Sequence, residues 1–275
     1  MSKTVKLPED PVPVILLHGW NSHPGAWNQL VSRLDTAGIP SARFDHAMMR
    51  DADLETIARA LGTFLTRWRD NTGYPGPVDI VSHSVGTCIT RFLLEVYDGE
   101  RKEEKVRQLI ALGPPNTGSA LAELFVDPVY GPAIINRLTG IFVPKGFDPA
   151  ADPIVQDVRP KSLFIERLRT AGIRPDIVYR IIVTANPLGD PAFFPLFEGK
   201  TWELTGTREF NQTLSGDGIV AHAESVLPGV SLDILAAGPA GAGDLPPASQ
   251  YCHINLTKNP QVTDQILHYL TGPGT

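Results

Sequence analysis

The chain has 275 residues, 42% hydrophobic and 20% charged, which is enough apolar material for a sizeable core and too ordinary a mixture for a disordered or collagen-like chain. A net charge of -6 with no Lys/Arg run offers no field to phosphate backbones, so nucleic acid is not an expected partner; Arg101-Lys102 is interleaved with Glu100, Glu103 and Glu104 and reads as a solvated surface. No apolar stretch approaches the roughly 18 to 20 residues of a membrane span.

After a short polar leader, Val12 to Leu17 is an apolar run that ends in His18-Gly19-Trp20 and reads as the first main strand. The turn cluster Asn21 to Gly25 follows, and Trp27, Leu30, Val31 and Leu34 then mark a helix face over Ala26 to Leu34 that stops at Gly38. Gly38 to Phe44 leads into a second strand. Asp53 to Trp68, with Leu54, Ile57, Leu61, Phe64, Leu65 and Trp68 on one face, is an amphipathic helix. Val78, Ile80 and Val81 then give the β-branched run of a strand covered on both faces, and helical spacing takes over from Thr87 to Tyr97. This β-α-β-α-β succession predicts a parallel sheet, whose functional groups belong at the carboxyl ends of its strands.

Val106 to Leu112 returns as a strand that ends in the small, polar loop Gly113 to Ser119. From Ala120 to about Pro175, short helical stretches (Ala120 to Phe125, Ala133 to Leu138, Lys161 to Arg169) are broken by Pro128, Pro132, Pro144, Pro149, Pro153 and Pro160. A structureless loop of that length is unusual in a compact domain. Residues 119–176 therefore read as a cap or lid over a cleft, or otherwise as a passive surface insertion, in one domain spanning 1–275. Asp176 to Ala185 is the next strand; Phe193 to Phe197 is an aromatic cluster that either walls a pocket or is local core; Trp202, Leu204 and Phe210 suggest a small hairpin. Val230 to Ala236 is a strand, a Gly/Pro/Ala loop follows, and Asn259-Pro260 opens a final helix over Gln261 to Leu270.

Ser84 stands where the buried strand turns into the helix, in Ser82-His83-Ser84-Val85-Gly86. Such a turn lifts a hydroxyl clear of the sheet and needs small residues two positions to either side, which Ser82 and Gly86 supply. The bland reading is a hydrophilic turn with two serines. The segment resembles the nucleophile elbow G-x-S-x-G of the α/β-hydrolases, with Ser82 in place of the first glycine and with His83 where lipases and esterases often carry a histidine. The resemblance implies an α/β-hydrolase fold, a mostly parallel sheet with helices on both faces and a helical cap. It makes Ser84 the nucleophile and, through the His18-Gly19 pair, makes the backbone N–H groups of Trp20 and Val85 an oxyanion hole.

A serine hydroxyl needs a base within reach, and the base needs a partner to fix its tautomer. In the fold so implied, acid and histidine follow the nucleophile in that order, each on a loop after a later strand. His222 and His253 lie between Ser84 and the final helix, and His268 lies inside that helix. His253, in Ser249 to Leu256 just before the last helix, occupies the place of the lipase histidine. Asp217-Gly218-Ile219-Val220 resembles the lipase D-G-x-V segment, with Ser225 matching a small residue after it, so Asp217 is the expected carboxylate. Asp190 is the rival acid, and a Gly-Asp-Gly β-turn is the plain alternative.

The expectation is a lipase-like carboxylesterase forming an acyl-enzyme on Ser84, needing no metal or organic cofactor, with a small-molecule or lipid ester as partner and possible transient contact of the cap with a lipid interface. The alternatives are the same triad on a thioester, lactone, amide or polyester, or a hydrolase-like binding module with no catalysis. Met1 to Lys6 lacks an apolar signal core, so the chain reads as cytoplasmic by default, or as secreted if a signal peptide has been removed. Cys88 and Cys252 are too few for a disulfide scaffold; free thiols are the default, and a single bridge between them is conceivable.

Overall fold

Successive side chains of a strand face opposite ways, and the two faces of the central sheet are both apolar. Ile15, Leu17, Ile80, Leu109, Ile181 and Val183 pack on one side with helices α2 (Leu54–Thr72) and α3 (Val85–Arg91). Val14, Leu16, Val81, Ile110, Leu112 and Ile182 pack on the other with α1 (Asn28–Thr36) and α9 (Pro260–Thr271). Burial on both faces explains why these strands read as near-continuous apolar runs. The structure is a computed structural model and describes residues 11–206, 209–239 and 245–272. The leader Met1 to Lys6 and part of the Gly/Pro/Ala loop before Ser249 lie outside the described residues.

The main sheet has six parallel strands: β1 (Val14–Leu17), β2 (Ser41–Phe44), β3 (Val78–His83), β4 (Val106–Leu112), β5 (Val178–Ala185) and β8 (Leu232–Ala236), in the spatial order β2-β1-β3-β4-β5-β8. Register places Leu17 beside Ser82 and His83 beside Leu112, so the ends of β1, β3 and β4 come out at one level. A separate antiparallel hairpin, β6 (Thr201–Leu204) and β7 (Phe210–Thr213), fulfils the expectation from Trp202, Leu204 and Phe210. No helix of the described residues is long and apolar enough to cross a membrane.

Between β4 and β5 the chain forms α4 (Ala120–Phe125), α5 (Gly131–Leu138), α6 (Pro153–Asp157) and α7 (Leu163–Ala171). The sequence reading counts Pro153 as a helix breaker; the structure puts it in the first turn of α6, with the Asp152 carboxylate accepting the Val155 N–H at 2.9 Å. Proline is well placed there because the first turn has no intrahelical use for its missing N–H. A four-residue α8 (His222–Ser225) also escapes the sequence pattern. The helix after β3 begins earlier than expected, at Val85, and continues beyond Arg91 as a π-helix over Phe92–Asp98. Phe193, Phe194 and Phe197 are all buried within the larger core cluster, so that segment is local core.

Candidate active site

Ser84 follows β3 with φ 55° and ψ −132°, a region that side chains rarely adopt, and its N–H bonds to the Leu112 carbonyl at 2.9 Å. Strained backbone of this kind persists only where its surroundings over-determine it. Here α3 is drawn tight against the end of β1: a Cβ on Gly86 would stand 2.5 Å from the His18 carbonyl oxygen. At the other flank Ser82 is fully buried, and its hydroxyl shares a 2.8 Å hydrogen bond with that of Thr87.

The His18-Gly19-Trp20 turn lies directly against the serine, where a Cβ on Gly19 would meet the Ser84 Cβ at 3.0 Å. His18 is buried and locked in one tautomer. Its Nδ1–H donates to the Gly19 carbonyl at 2.9 Å, and its Nε2 accepts the His46 N–H at 3.3 Å. The His46 ring stacks on the His18 ring at 3.8 Å, and its Nε2–H donates to the His18 carbonyl at 3.0 Å. Carbonyl and N–H of one trans peptide point in opposite directions. Holding the Gly19 oxygen on the His18 side therefore turns the Trp20 N–H the other way. Burial lowers the pKa of both histidines, that of His46 to about 4, although the Asp45 carboxylate, 3.6 Å from His18 Nε2, works against it. Nothing in the sequence alone singles out His46.

His253 Nδ1–H donates to Asp217 Oδ2 at 2.7 Å, with both side chains buried. Since the carboxylate accepts, the proton sits on Nδ1 and the lone pair on Nε2. Nε2 is buried and makes no hydrogen bond among the described residues, so the contact with Ser84 is open, although both residues line one cavity. The His83 ring lies 4.5 Å from that of His253, and burial, reinforced by His253 itself, holds His83 neutral with its pKa well below the usual histidine range.

The acid loop is fixed from several sides. Asp217 Oδ1 accepts the N–H groups of Ile219 and Val220 at 3.0 and 2.7 Å, while its backbone carbonyl accepts the His253 N–H at 2.8 Å. Thr201 of β6 accepts the Gly218 N–H at 2.7 Å. Gly113, at the end of β4 with φ 50°, leaves room for the carboxylate, since a Cβ there would lie 2.5 Å from Oδ2. Beyond the loop, buried Glu224 accepts the N–H groups of Ala120 at 2.5 Å and Ala221 at 3.1 Å, which ties the start of α4 to this segment; burial pushes its carboxyl up to about 8.

Asp190, the rival acid, accepts the Ala192 N–H within its own turn at 2.9 Å, and His222 bonds the carbonyl of Thr184 in β5 at 2.9 Å. Cys88 and Cys252 are buried free thiols that form no bridge, with pKa values raised by burial to about 12 and about 11. Among the described residues no cluster of three or more His, Cys, Asp or Glu side chains is placed to hold a metal ion.

No protein-family model matches the chain, and no curated protein matches it in sequence. Solved structures do match it. It is similar to the mature form of Bacillus licheniformis lipase BlEst2 (TM-score 0.67, 20% identity, over 97% of this chain and 95% of that one). It is also similar to phospholipase PlaB from Legionella pneumophila (TM-score 0.64, 16% identity, over 94% and 60%) and to Aspergillus fumigatus lipase B (TM-score 0.62, 18% identity, over 96% and 53%). The chain spans about half the length of that Aspergillus protein. The six parallel strands between two helical layers are those of the α/β-hydrolase fold.

Proposed function

From this fold we propose that the chain is a serine hydrolase of carboxylic esters that works through an acyl-enzyme on Ser84, with His253 as base and Asp217 as its partner. The observation that carries the reading is the 2.7 Å bond from His253 Nδ1 to the buried Asp217 carboxylate, which reserves Nε2 for a proton beside the cavity that Ser84 lines. Ser84 Oγ attacks the ester carbonyl as His253 Nε2 takes its proton, and Asp217 holds the imidazole and stabilises the imidazolium. The N–H groups of Trp20 and Val85 receive the oxyanion. His253 then returns the proton to the departing alkoxide, and a water molecule, deprotonated in the same way, releases the acid. The open Ser84–His253 contact suits an unliganded site, because catalytic hydrogen bonds often close only with substrate present.

That open contact is also what a binding module without catalysis would show. A fluorophosphonate probe separates the two readings: the hydrolase forms a covalent adduct at Ser84, which Ser84→Ala abolishes together with p-nitrophenyl ester turnover. An unlabelled, folded wild-type protein would sink the catalytic reading. Offering a thioester, lactone and amide of the same acyl group alongside the ester then ranks the bond types.

A further inference from the structure

Two cavities meet at Ser84 and differ in size and chemistry. The wider, about 370 Å³, has a mixed wall in which Asn21, Ser22, Thr257 and Lys258 stand among the apolar Ile141 and Ile254, with His253 at its edge. The narrower, about 50 Å³, is walled by Val85, Leu121, Phe125, Ile154, Val155 and Val220. Trp20 and Phe142 border both, so the two indole and phenyl rings, 5.4 Å apart, stand as a partition over the serine.

His253 borders the wide cavity alone. Building on the serine-hydrolase reading, this asymmetry orients the substrate. The general acid that protonates the departing oxygen must lie within hydrogen-bond reach of it. The alcohol portion therefore occupies the wide cavity of mixed polarity, and the acyl chain enters the narrow, apolar one beside Val85. A water molecule needs about 10 to 15 Å³ of such space, so the acyl cavity holds roughly three to five non-hydrogen atoms beyond the carbonyl. Its cap wall is fastened to the oxyanion turn. Trp20 Nε1–H donates to the Asp152 carboxylate at 3.1 Å, and the Asn21 amide donates to the Phe142 carbonyl at 3.0 Å. Phe125 and Val155 in its lining are both buried, so a longer chain meets packed side chains there.

We propose that the substrate is an ester of a short-chain acid, about four to six carbons in all, with a large, hydroxylated alcohol. The wide cavity suits such an alcohol through its side-chain hydroxyl, amide and imidazole groups, and it carries one cation, Lys258, and no carboxylate.

The test uses two matched series at concentrations below micelle formation, followed by the same long-chain ester as an emulsion. With p-nitrophenol as the common alcohol, kcat/KM should peak at butyrate or hexanoate and fall at least tenfold by decanoate, since a single misfitted methylene in an apolar pocket changes this ratio by about tenfold or more. With butyrate as the common acid, the sorbitol monoester should outrun both the n-hexyl and the glycerol monoester, and the reverse order would overturn the alcohol assignment. Val155→Ala should raise the decanoate-to-butyrate ratio about tenfold, and Ala122→Leu, which narrows the same cavity from α4, should lower the butyrate-to-acetate ratio by a similar factor. Wild-type turnover that rises through decanoate or jumps at the emulsion, or profiles that neither variant moves, would overturn the assignment while leaving the hydrolase reading intact. No turnover of any ester and no fluorophosphonate adduct would overturn the hydrolase reading and this assignment with it.

Discussion

Replacing Asp217 by Asn changes one proton and almost no volume, and the surrounding bonds dictate where the new amide must point. Oδ1 of Asp217 accepts the N–H groups of Ile219 and Val220 at 3.0 and 2.7 Å, which an amide nitrogen cannot do. The Asn oxygen therefore stays at that position, and its NH2 takes the place of Oδ2, facing His253 Nδ1 across the present 2.7 Å contact. Two donors cannot share that contact. Nδ1 must become the acceptor, the imidazole proton moves to Nε2, and His253 loses the lone pair that the proposed mechanism directs at Ser84. A wrong tautomer in an otherwise intact triad lowers kcat by about 10⁴-fold, or about 5 kcal/mol of transition-state stabilisation. Asp217→Ala is a poorer test, because it also orphans two buried N–H groups at about 1–3 kcal/mol each. The assay is kcat/KM on p-nitrophenyl butyrate at pH 7, with thermal melting as the control for folding. An Asp217→Asn enzyme that keeps more than a tenth of wild-type activity, with its melting temperature unchanged, would remove Asp217 from the role assigned to it.

The strain at Ser84 gives a second expectation: Ser84→Gly should be inactive but more stable than Ser84→Ala by about 1 kcal/mol, since relief of about 1–3 kcal/mol at φ 55° exceeds the added chain entropy of glycine, about 0.5–1 kcal/mol. Equal melting temperatures for the two variants would mean that the turn stores no such strain. A third concerns acid. His46 is neutral in the fold with a pKa near 4 against an ordinary 6.5, so between those values the unfolded chain takes up a proton that the folded one refuses. His46 alone should take away about 3 kcal/mol of stability as pH drops through that window, against the opposite contribution of Glu224, whose carboxyl is raised in the fold. His46→Gln, which keeps a side-chain N–H donor and cannot titrate, should gain on the wild type in urea midpoint between pH 7 and 4.5; a wild-type-to-variant difference that does not change with pH would count against the assignment.

Much of this site could be read from local patterns, because strands buried on both faces announce themselves and the residues that matter stand just past their ends. Ser84 and Trp20 follow β3 and β1 in that way, whereas Asp217 follows the hairpin strand β7 and His253 lies well beyond β8, so those two rest on the resemblance of their segments. What escaped depends on which strand lies beside which. β1 and β2 are parallel neighbours with Leu17 opposite Phe44, so the residues that follow each strand meet, and His46 stacks on His18. In the sequence His46 is a lone histidine in a loop. The supports of Asp217 are equally remote: Thr201 precedes it by one hairpin, and Gly113 stands at the end of β4, before the helices α4 to α7. Pro153 is ambiguous in the sequence for a different reason. A proline marks both the middle of a broken helix and the start of a sound one, and only the capping Asp152 before it tells the two apart.

The missing first glycine of the elbow has a physical account. Residue 82 faces inward where a hydroxyl fits and finds a partner, the Thr87 Oγ1 at 2.8 Å, so the small polar side chain is accommodated without an orphaned group. Residue 86 faces the end of β1, and a single methyl group there would stand 2.5 Å from the His18 carbonyl oxygen and 3.2 Å from that of Leu17. The first contact is with backbone that also carries the Gly19 turn, so it cannot yield without moving the N–H groups proposed to face the oxyanion. The two flanking positions of the motif thus answer to different constraints. The first requires a residue small enough for α3 to settle, which serine with Thr87 satisfies. The second fixes how far the serine stands from the Trp20 turn, and there only the absence of a side chain will do.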